Sequence, residues 1–309
     1  MRAVSDAILV LGASGFIGRH LAETLACPDR PIIAATRQPA AFRNRFITNV
    51  VAPFDAPDQF APLLLRCRAV IHAASNSTPG SSAAQPQLDG NLRTTLALLE
   101  ALQACPDRRM VYLSSGGTLY GDSVAEHAAR ESDPLRPRSY HGAGKAAAEH
   151  FIHAWATQYD GTAIVLRPSN VYGPGQPPRP GFGIIPAAFD CAVRGEPLAI
   201  WGDGKTVRDY LYIDDLIALC GLVLSRDLPY GTHIYNAASG EGTPLNELLD
   251  LIDRTTGRPL LRDYKPARRV DVRCIIPDNG AARAAFKWQP VMLLEPGLQQ
   301  TWQWFTTRG

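Results

Sequence analysis

The sequence predicts an α/β fold: a doubly wound parallel sheet of about seven strands with a smaller C-terminal lobe. Three observations carry that expectation. Ile8 to Leu11 is a short apolar run, the mark of a buried strand, and it leads into Gly12, Gly15 and Gly18 and then a helical period over Phe16 to Ala26. Short apolar runs and helical stretches then alternate up to Asn170. From 173 to 186 the chain reads GPGQPPRPGFGIIP, and Pro and Gly break the rhythm. The expected division is residues 1–170, with a return segment near 205–238, against residues 171–309.

The bulk properties narrow the class. The chain has 309 residues, 46% hydrophobic and 19% charged, which suits a globular protein with a sizeable core. A net charge of +2 with interspersed signs gives no electrostatic case for nucleic acid or an anionic membrane as partner. The six cysteines are scattered without a CxxC pair, as expected of reduced thiols in a cytoplasmic protein. No apolar run has transmembrane length, and MRAVSDAILV lacks a signal-peptide layout.

The first strand, glycine turn and helix read as a Rossmann-like dinucleotide site. Gly12 serves the tight turn, Gly15 lets the backbone approach a pyrophosphate, and Gly18 lets helix and strand pack closely. Ser14, Phe16 and Ile17 lie in the same turn, whose free N–H groups would face the phosphates. The spacing is GxxGxxG rather than the commoner GxGxxG, but its setting between a strand and a helix is the one the motif demands. Pro31 to Thr36 is the second strand. An acidic residue at its end would bind the 2′-OH of NAD. Here Thr36 and Arg37 stand there instead. Arg37 can pair with a 2′-phosphate, so NADP is favoured, with NAD the other option; a solvated loop arginine is the plainer alternative. Val50 to Phe54 is expected as the third strand, with Asp55 at its edge as an adenine contact. Ala69 to His72 is the fourth, running into Ala73, Ala74 and Ser75. His72 reads as a core or hinge histidine, and no metal is expected.

Asn91 to Ala104 is helical, with Leu92, Leu96 and Leu99 on one face. Met110 to Leu113 is the fifth strand and delivers Ser114, Ser115 and Thr118 on a glycine-rich loop. Such hydroxyls can bond a substrate oxygen or simply cap the loop. Ser139 to Gln158 is a helix opened by an N-cap serine, and Ile164 to Arg167 a strand followed by Pro168, Ser169 and Asn170. Beyond the Pro/Gly segment come the strand Leu198 to Trp201, Arg208, the strand His233 to Asn236, and a helix over Thr243 to Thr255. Arg268 and a terminal aromatic helix follow.

Taken together, LGASGFIG, IHAAS, Asn91 opening its helix, YLSSGGTLYGD, LRPSNVYGPGQ, WGDGKTVRDYLYIDD, YNAASGEG and RRVDV resemble the extended short-chain dehydrogenase/reductases. The resemblance is to the NAD(P)-dependent nucleotide-sugar epimerases and dehydratases and runs from about residue 7 to about 300. It implies hydride transfer at C4 of a nucleotide-linked sugar, with residues 171–309 as a substrate-binding lobe. A 4-epimerase comes first, a 4-keto-sugar reductase second, and a catalytically impaired dinucleotide-binding sensor third. It implies that Gly12, Gly15 and Gly18 hold the pyrophosphate and Asp55 the adenine. Ala73, Ala74, Ser75 and Pro168 would line the cofactor, and Lys145 would hold the nicotinamide ribose. Ser115, Thr118, Asn170, Arg208 and Arg268 would contact substrate, the two arginines at the diphosphate, with Trp201 at the base. Pairing of the helices Asn91–Ala104 and Ser139–Gln158 with their copies would make a homodimer.

The family signature Tyr-x-x-x-Lys is altered. The segment reads Ser139-Tyr140-His141-Gly142-Ala143-Gly144-Lys145. At about 100° per residue, Tyr140 lies about 140° around the helix from Lys145, and His141 only about 40°. The family's usual serine or threonine, four residues before Tyr120-Gly121, is Gly116 here. Either His141 replaces the tyrosine, or Tyr140 reaches the site through an irregular helix start, or catalysis is lost.

Overall fold

The computed structural model describes residues 6–75, 77, 83–122, 128–179 and 181–307. Seven strands form one sheet: β1 (Ala7–Leu11), β2 (Ile32–Thr36), β3 (Ile47–Val51), β4 (Cys67–His72), β5 (Arg109–Leu113), β6 (Thr162–Pro168) and β7 (Gly231–Ala237). Their order is β3-β2-β1-β4-β5-β6-β7, and every pairing is parallel. The order reverses between β1 and β4, which opens a crevice at their carboxyl ends.

Strand alternation assigns the two faces. Ile8 and Val10 pack with Leu21 and Leu25 of α1 (Phe16–Leu25). Leu9 and Leu11 pack with Leu98 of α2 (Arg93–Leu102) and Ile152 of α3 (Tyr140–Gln158). Successive side chains point to opposite faces, so a parallel sheet covered on both sides needs continuous apolar strands. Helix α4 (Ile213–Ser225) joins α1 over the first face through Ile217 and Leu224, and the chain then returns to the sheet as β7.

Three smaller pairings lie outside the main sheet. Asn170–Tyr172 runs parallel to Tyr210–Tyr212, and Leu198–Trp201 runs parallel to Arg262–Lys265. Val207–Arg208 sits between Thr243–Pro244 and Cys274–Ile275. The helix Leu294–Thr306 packs its Leu298 into the shared core.

Several boundaries differ from expectation. The third strand is Ile47–Val51, not Val50–Phe54, because Val51 is the partner of Thr36 at the end of β2. Phe54 has a left-handed φ of 57° and turns inward onto Phe60, which ends extended chain there. The helix expected from Asn91 begins as a wide turn over Leu88–Leu92, and α2 proper starts at Arg93. Gly116–Leu119 is a helical turn rather than an open loop. Thr243–Pro244 pairs with Val207–Arg208, so the helix expected from Thr243 starts at Leu245. Helix α3 begins where expected, with Ser139 Oγ accepting the Gly142 N–H at 3.2 Å. Among the described residues, no helix is long and apolar enough to cross a membrane.

Candidate active site

At the carboxyl end of β1 the backbone packs against backbone. Gly12 has φ +79°, and a Cβ there would lie 2.7 Å from the Ala74 Cα. A Cβ on Gly18 would lie 2.1 Å from the Gly12 carbonyl oxygen. Gly15 donates its N–H to that oxygen at 2.9 Å and is the N-cap of α1, where as a glycine it brings no capping side chain. Ser14 is exposed on the outer side of the turn, Phe16 is buried, and Ile17 is half-buried. This cradle, with Ala73 and Ala74 as its far wall, fits a pyrophosphate: room for backbone approach, and a helix N-terminus aimed at it.

Further along the crevice, Thr36 is buried and turned into the sheet. Its Oγ1 donates to the Gln38 carbonyl at 2.7 Å and accepts from Asn49 Nδ2 at 2.8 Å. Arg37 is exposed beside it. Asp55 is exposed, with Oδ1 accepting from Gln59 Nε2 at 3.1 Å. His72 lies under the sheet edge with Nε2 3.0 Å from Thr95 Oγ1, and burial pushes its pKa down to about 3.

Helix α3 presents His141 and Lys145 one turn apart. They are 7% and 4% exposed, against 52% for Tyr140. Lys145 Nζ donates to the Leu113 carbonyl at 2.8 Å and sits 4.7 Å over the Tyr112 ring. Burial lowers the ammonium to about 8, opposed by Glu149 one turn further on. Burial, with the Lys145 charge second, lowers His141 to about 4, so its imidazole is neutral at pH 7. His141 Nδ1 lies 2.8 Å from Ser77 Oγ. That oxygen accepts from Asn91 Nδ2 at 2.7 Å, and Asn91 also bonds Gln87 and Ser75.

The segment after β5 is pressed between α3 and β6. A Cβ on Gly142 would meet the Thr118 carbonyl oxygen at 2.5 Å, and one on Gly116 would meet the Arg167 carbonyl oxygen at 2.7 Å. Thr118 Oγ1 donates to Ser115 Oγ at 2.8 Å. Beneath them Glu149 binds Arg167 at 2.6 Å and accepts the Ser114 hydroxyl, a buried ion pair with its remaining groups hydrogen-bonded. Pro168 is buried at the end of β6.

Asn170 leads from this face to a second cluster. Its Nδ2 donates to the Asp209 carbonyl at 2.8 Å. The buried Asp209 carboxylate accepts from Ser169, from the Ser239 N–H and hydroxyl, and from the Gly240 N–H, which anchors the chain directly after the short strand that carries Arg208. Burial lowers the Arg208 pKa, and Asp271 is among the charges that oppose the shift. Arg268 forms a two-point pair with Asp271 at 2.8 and 2.9 Å and stacks 5.2 Å from the half-exposed Trp201 ring.

The structure sets Gly12 against Ala73 and Ala74, links His141 through Ser77 and Asn91 to Ser75, ties Asn170 to the Asp209 backbone, and joins Arg268 to Trp201 and Asp271. The sequence reading missed Ser77, Gln87 and Asp209, and took Asn91 only as a helix opener. A buried amide at the start of an apolar helix was the one signal available.

The model of the NAD dependent epimerase/dehydratase family matches residues 8–238. The chain is 29% identical to a UDP-glucose 4-epimerase of Mycolicibacterium smegmatis, over 97% of this chain and 99% of that protein. It is 26% identical to a dTDP-4-dehydro-6-deoxyglucose reductase of Escherichia coli, covering 97% of this chain and 98% of that one. Its fold matches a UDP-glucose 4-epimerase of Thermotoga maritima, solved with UDP-glucose, at a TM-score of 0.90 and 29% identity over 98% of this chain and 99% of that chain. A glycine cradle at the switch point and a family match over three-quarters of the chain agree: this protein belongs to the NAD dependent epimerase/dehydratase family and is an extended short-chain dehydrogenase/reductase.

Proposed function

We propose that the protein is an NAD(P)-dependent 4-epimerase of a UDP-linked hexose, with His141 in place of the family's tyrosine. The observation that carries this reading is the pairing of a buried His141 and Lys145 on one helix face beside the glycine cradle. The bound nicotinamide supplies reversible hydride exchange. Lys145 holds the cofactor ribose and keeps a positive charge near the reacting oxygen. His141 exchanges a proton or hydrogen bond with the C4 oxygen, and Ser115 and Thr118 contribute hydroxyls beside it. Tyr140, half-exposed on another face, takes no part. Arg208 and Arg268 grip the diphosphate, Arg268 by leaving Asp271, while Asn170 and Trp201 bound the sugar and base. Asp55 and the exposed Arg37 serve the adenosine end, where the lack of a carboxylate favours NADP over NAD. The helices α2 and α3 pair with their copies in a homodimer, and the enzyme works in the cytoplasm.

A second reading, reduction of a nucleotide 4-keto sugar, is favoured by the neutral state of His141. An imidazole lowered to about 4 is a poor base toward a sugar hydroxyl but a serviceable hydrogen-bond donor to a ketone. Incubation with UDP-glucose and UDP-galactose, each with NAD or NADP, tests the first reading through interconversion without net cofactor change. Steady consumption of NADPH with a 4-keto sugar supports the second. Tight NADP(H) binding with no turnover on any nucleotide sugar would overturn both.

A further inference from the structure

The chain of polar contacts behind His141 sets which of its nitrogens carries the proton. A neutral imidazole has one N–H and one lone pair, and the partner of one nitrogen fixes the state of the other. The partner here is Ser77, which lies 64 positions before it in the chain. Asn91 is buried, and its amide is held from both ends: the N–H groups go to Ser77 Oγ at 2.7 Å and Gln87 Oε1 at 2.9 Å, and its oxygen takes the Ser75 hydroxyl at 2.8 Å. Ser77 Oγ therefore already receives one donor. Among the described residues, the acceptor within reach of its own hydrogen is His141 Nδ1 at 2.8 Å.

We propose that Ser77 is a positioning residue that holds His141 as the Nε2–H tautomer, so that the imidazole offers the substrate a donor and the site is set to reduce a 4-keto sugar. This rests on the reading of His141 as the group that meets the C4 oxygen, and it favours the reductive form of that reading. In the opposite tautomer Ser77 Oγ would accept twice, and its hydrogen would lose its protein partner. The doubly protonated form is opposed by burial of the ring and, second, by the Lys145 ammonium. An Nε2–H has no lone pair to take a proton from a sugar hydroxyl. Its hydrogen bond to a carbonyl oxygen strengthens as negative charge grows there. The hydride needed at C4 would come from the reduced nicotinamide; the chain supplies the proton, with Nε2–H passing to the C4 oxygen as Nδ1 takes the Ser77 hydroxyl proton and Ser77 takes one from solvent, and proton exchange through Ser77 and solvent then restores the Nε2–H tautomer.

The test is nitrogen NMR of the full chain labelled at its seven histidines, with His141 assigned by comparison with His141→Gln. The expected result is Nε2–H in the wild type and in Ser77→Thr, and a shift toward Nδ1–H in Ser77→Ala. Ser77→Ala should also slow keto-sugar reduction tenfold or more while the Kd for NADPH moves less than twofold. An Nδ1–H wild type, or equal tautomer populations in wild type and Ser77→Ala, would overturn the proposal. Absence of turnover in every form, with the tautomers as expected, would instead remove the enzymatic reading and leave the role of Ser77 in place.

Discussion

The two banks of the candidate site, the glycine cradle with His141 and Lys145 and the cluster of Trp201, Arg268 and Asp271, are built on different principles. On the dinucleotide bank, Gly12 and Gly18 leave no room for a single added carbon, and His141 and Lys145 lie buried on a helix pinned by Gly142. On the opposite bank, Trp201, Arg268 and Asp271 hold one another through ionic and stacking contacts at a half-exposed surface. The first bank is set before any ligand arrives. In the proposed function the second would exchange internal partners for ligand ones, and its affinity would be a difference between two similar energies.

This contrast is breakable, and the largest effect is expected at His141. His141→Gln should lower kcat by about 10²–10⁴-fold, while Tyr140→Phe should leave it within about twofold. Equal losses in the two variants would erase the distinction between buried and exposed positions on α3. Next comes the cradle. Gly18→Ala should weaken dinucleotide binding by about 100-fold, or about 2.8 kcal/mol, in a fluorescence titration. Binding unchanged by that methyl group would mean the backbone is not as rigid as its contacts imply.

Acid stability probes the same bank. The unfolded imidazole of His141 titrates at about 6.5, and the folded one at about 4. Below pH 6.5 the unfolded chain therefore takes up a proton that the folded one refuses, and stability falls as pH falls toward 4. At pH 5 the loss from this residue should be about 2 kcal/mol. Urea unfolding of wild type and His141→Gln at pH 7 and pH 5 measures it: the wild type should lose more. The smallest effect belongs to the arginine bank. Arg268→Ala should raise KM for the nucleotide sugar about tenfold, and Asp271→Asn should lower it, since the ligand no longer competes for the guanidinium. A KM raised by Asp271→Asn would show that Asp271 orients Arg268 for binding rather than holding it back.

What could be read from the sequence follows the same division. Glycine spacing and strand alternation are periodic, so the cradle and the seven-stranded sheet were legible. So was the placing of His141 over Lys145, which depends only on helical geometry. The third strand was misplaced because Phe54 looks like strand and adopts a left-handed turn to reach Phe60. Ser77 and Asp209 were invisible because their partners are remote in the chain, and a serine in a loop or an aspartate beside an arginine carries no pattern that singles it out. The lock of Arg268 onto Asp271 was unreadable for another reason: sequence gives the charges but not their choice among neighbours.

Gly116 limits which side chains the site can accept. The oxygen of Arg167 and the ring of Pro277, 3.1 Å from where a Cβ would project, occupy the space a serine side chain would need. A serine there would require β6 to shift as well, so His141→Tyr alone would supply one member of the family's usual pair without the other. Engineering toward relatives' chemistry must begin with that strand.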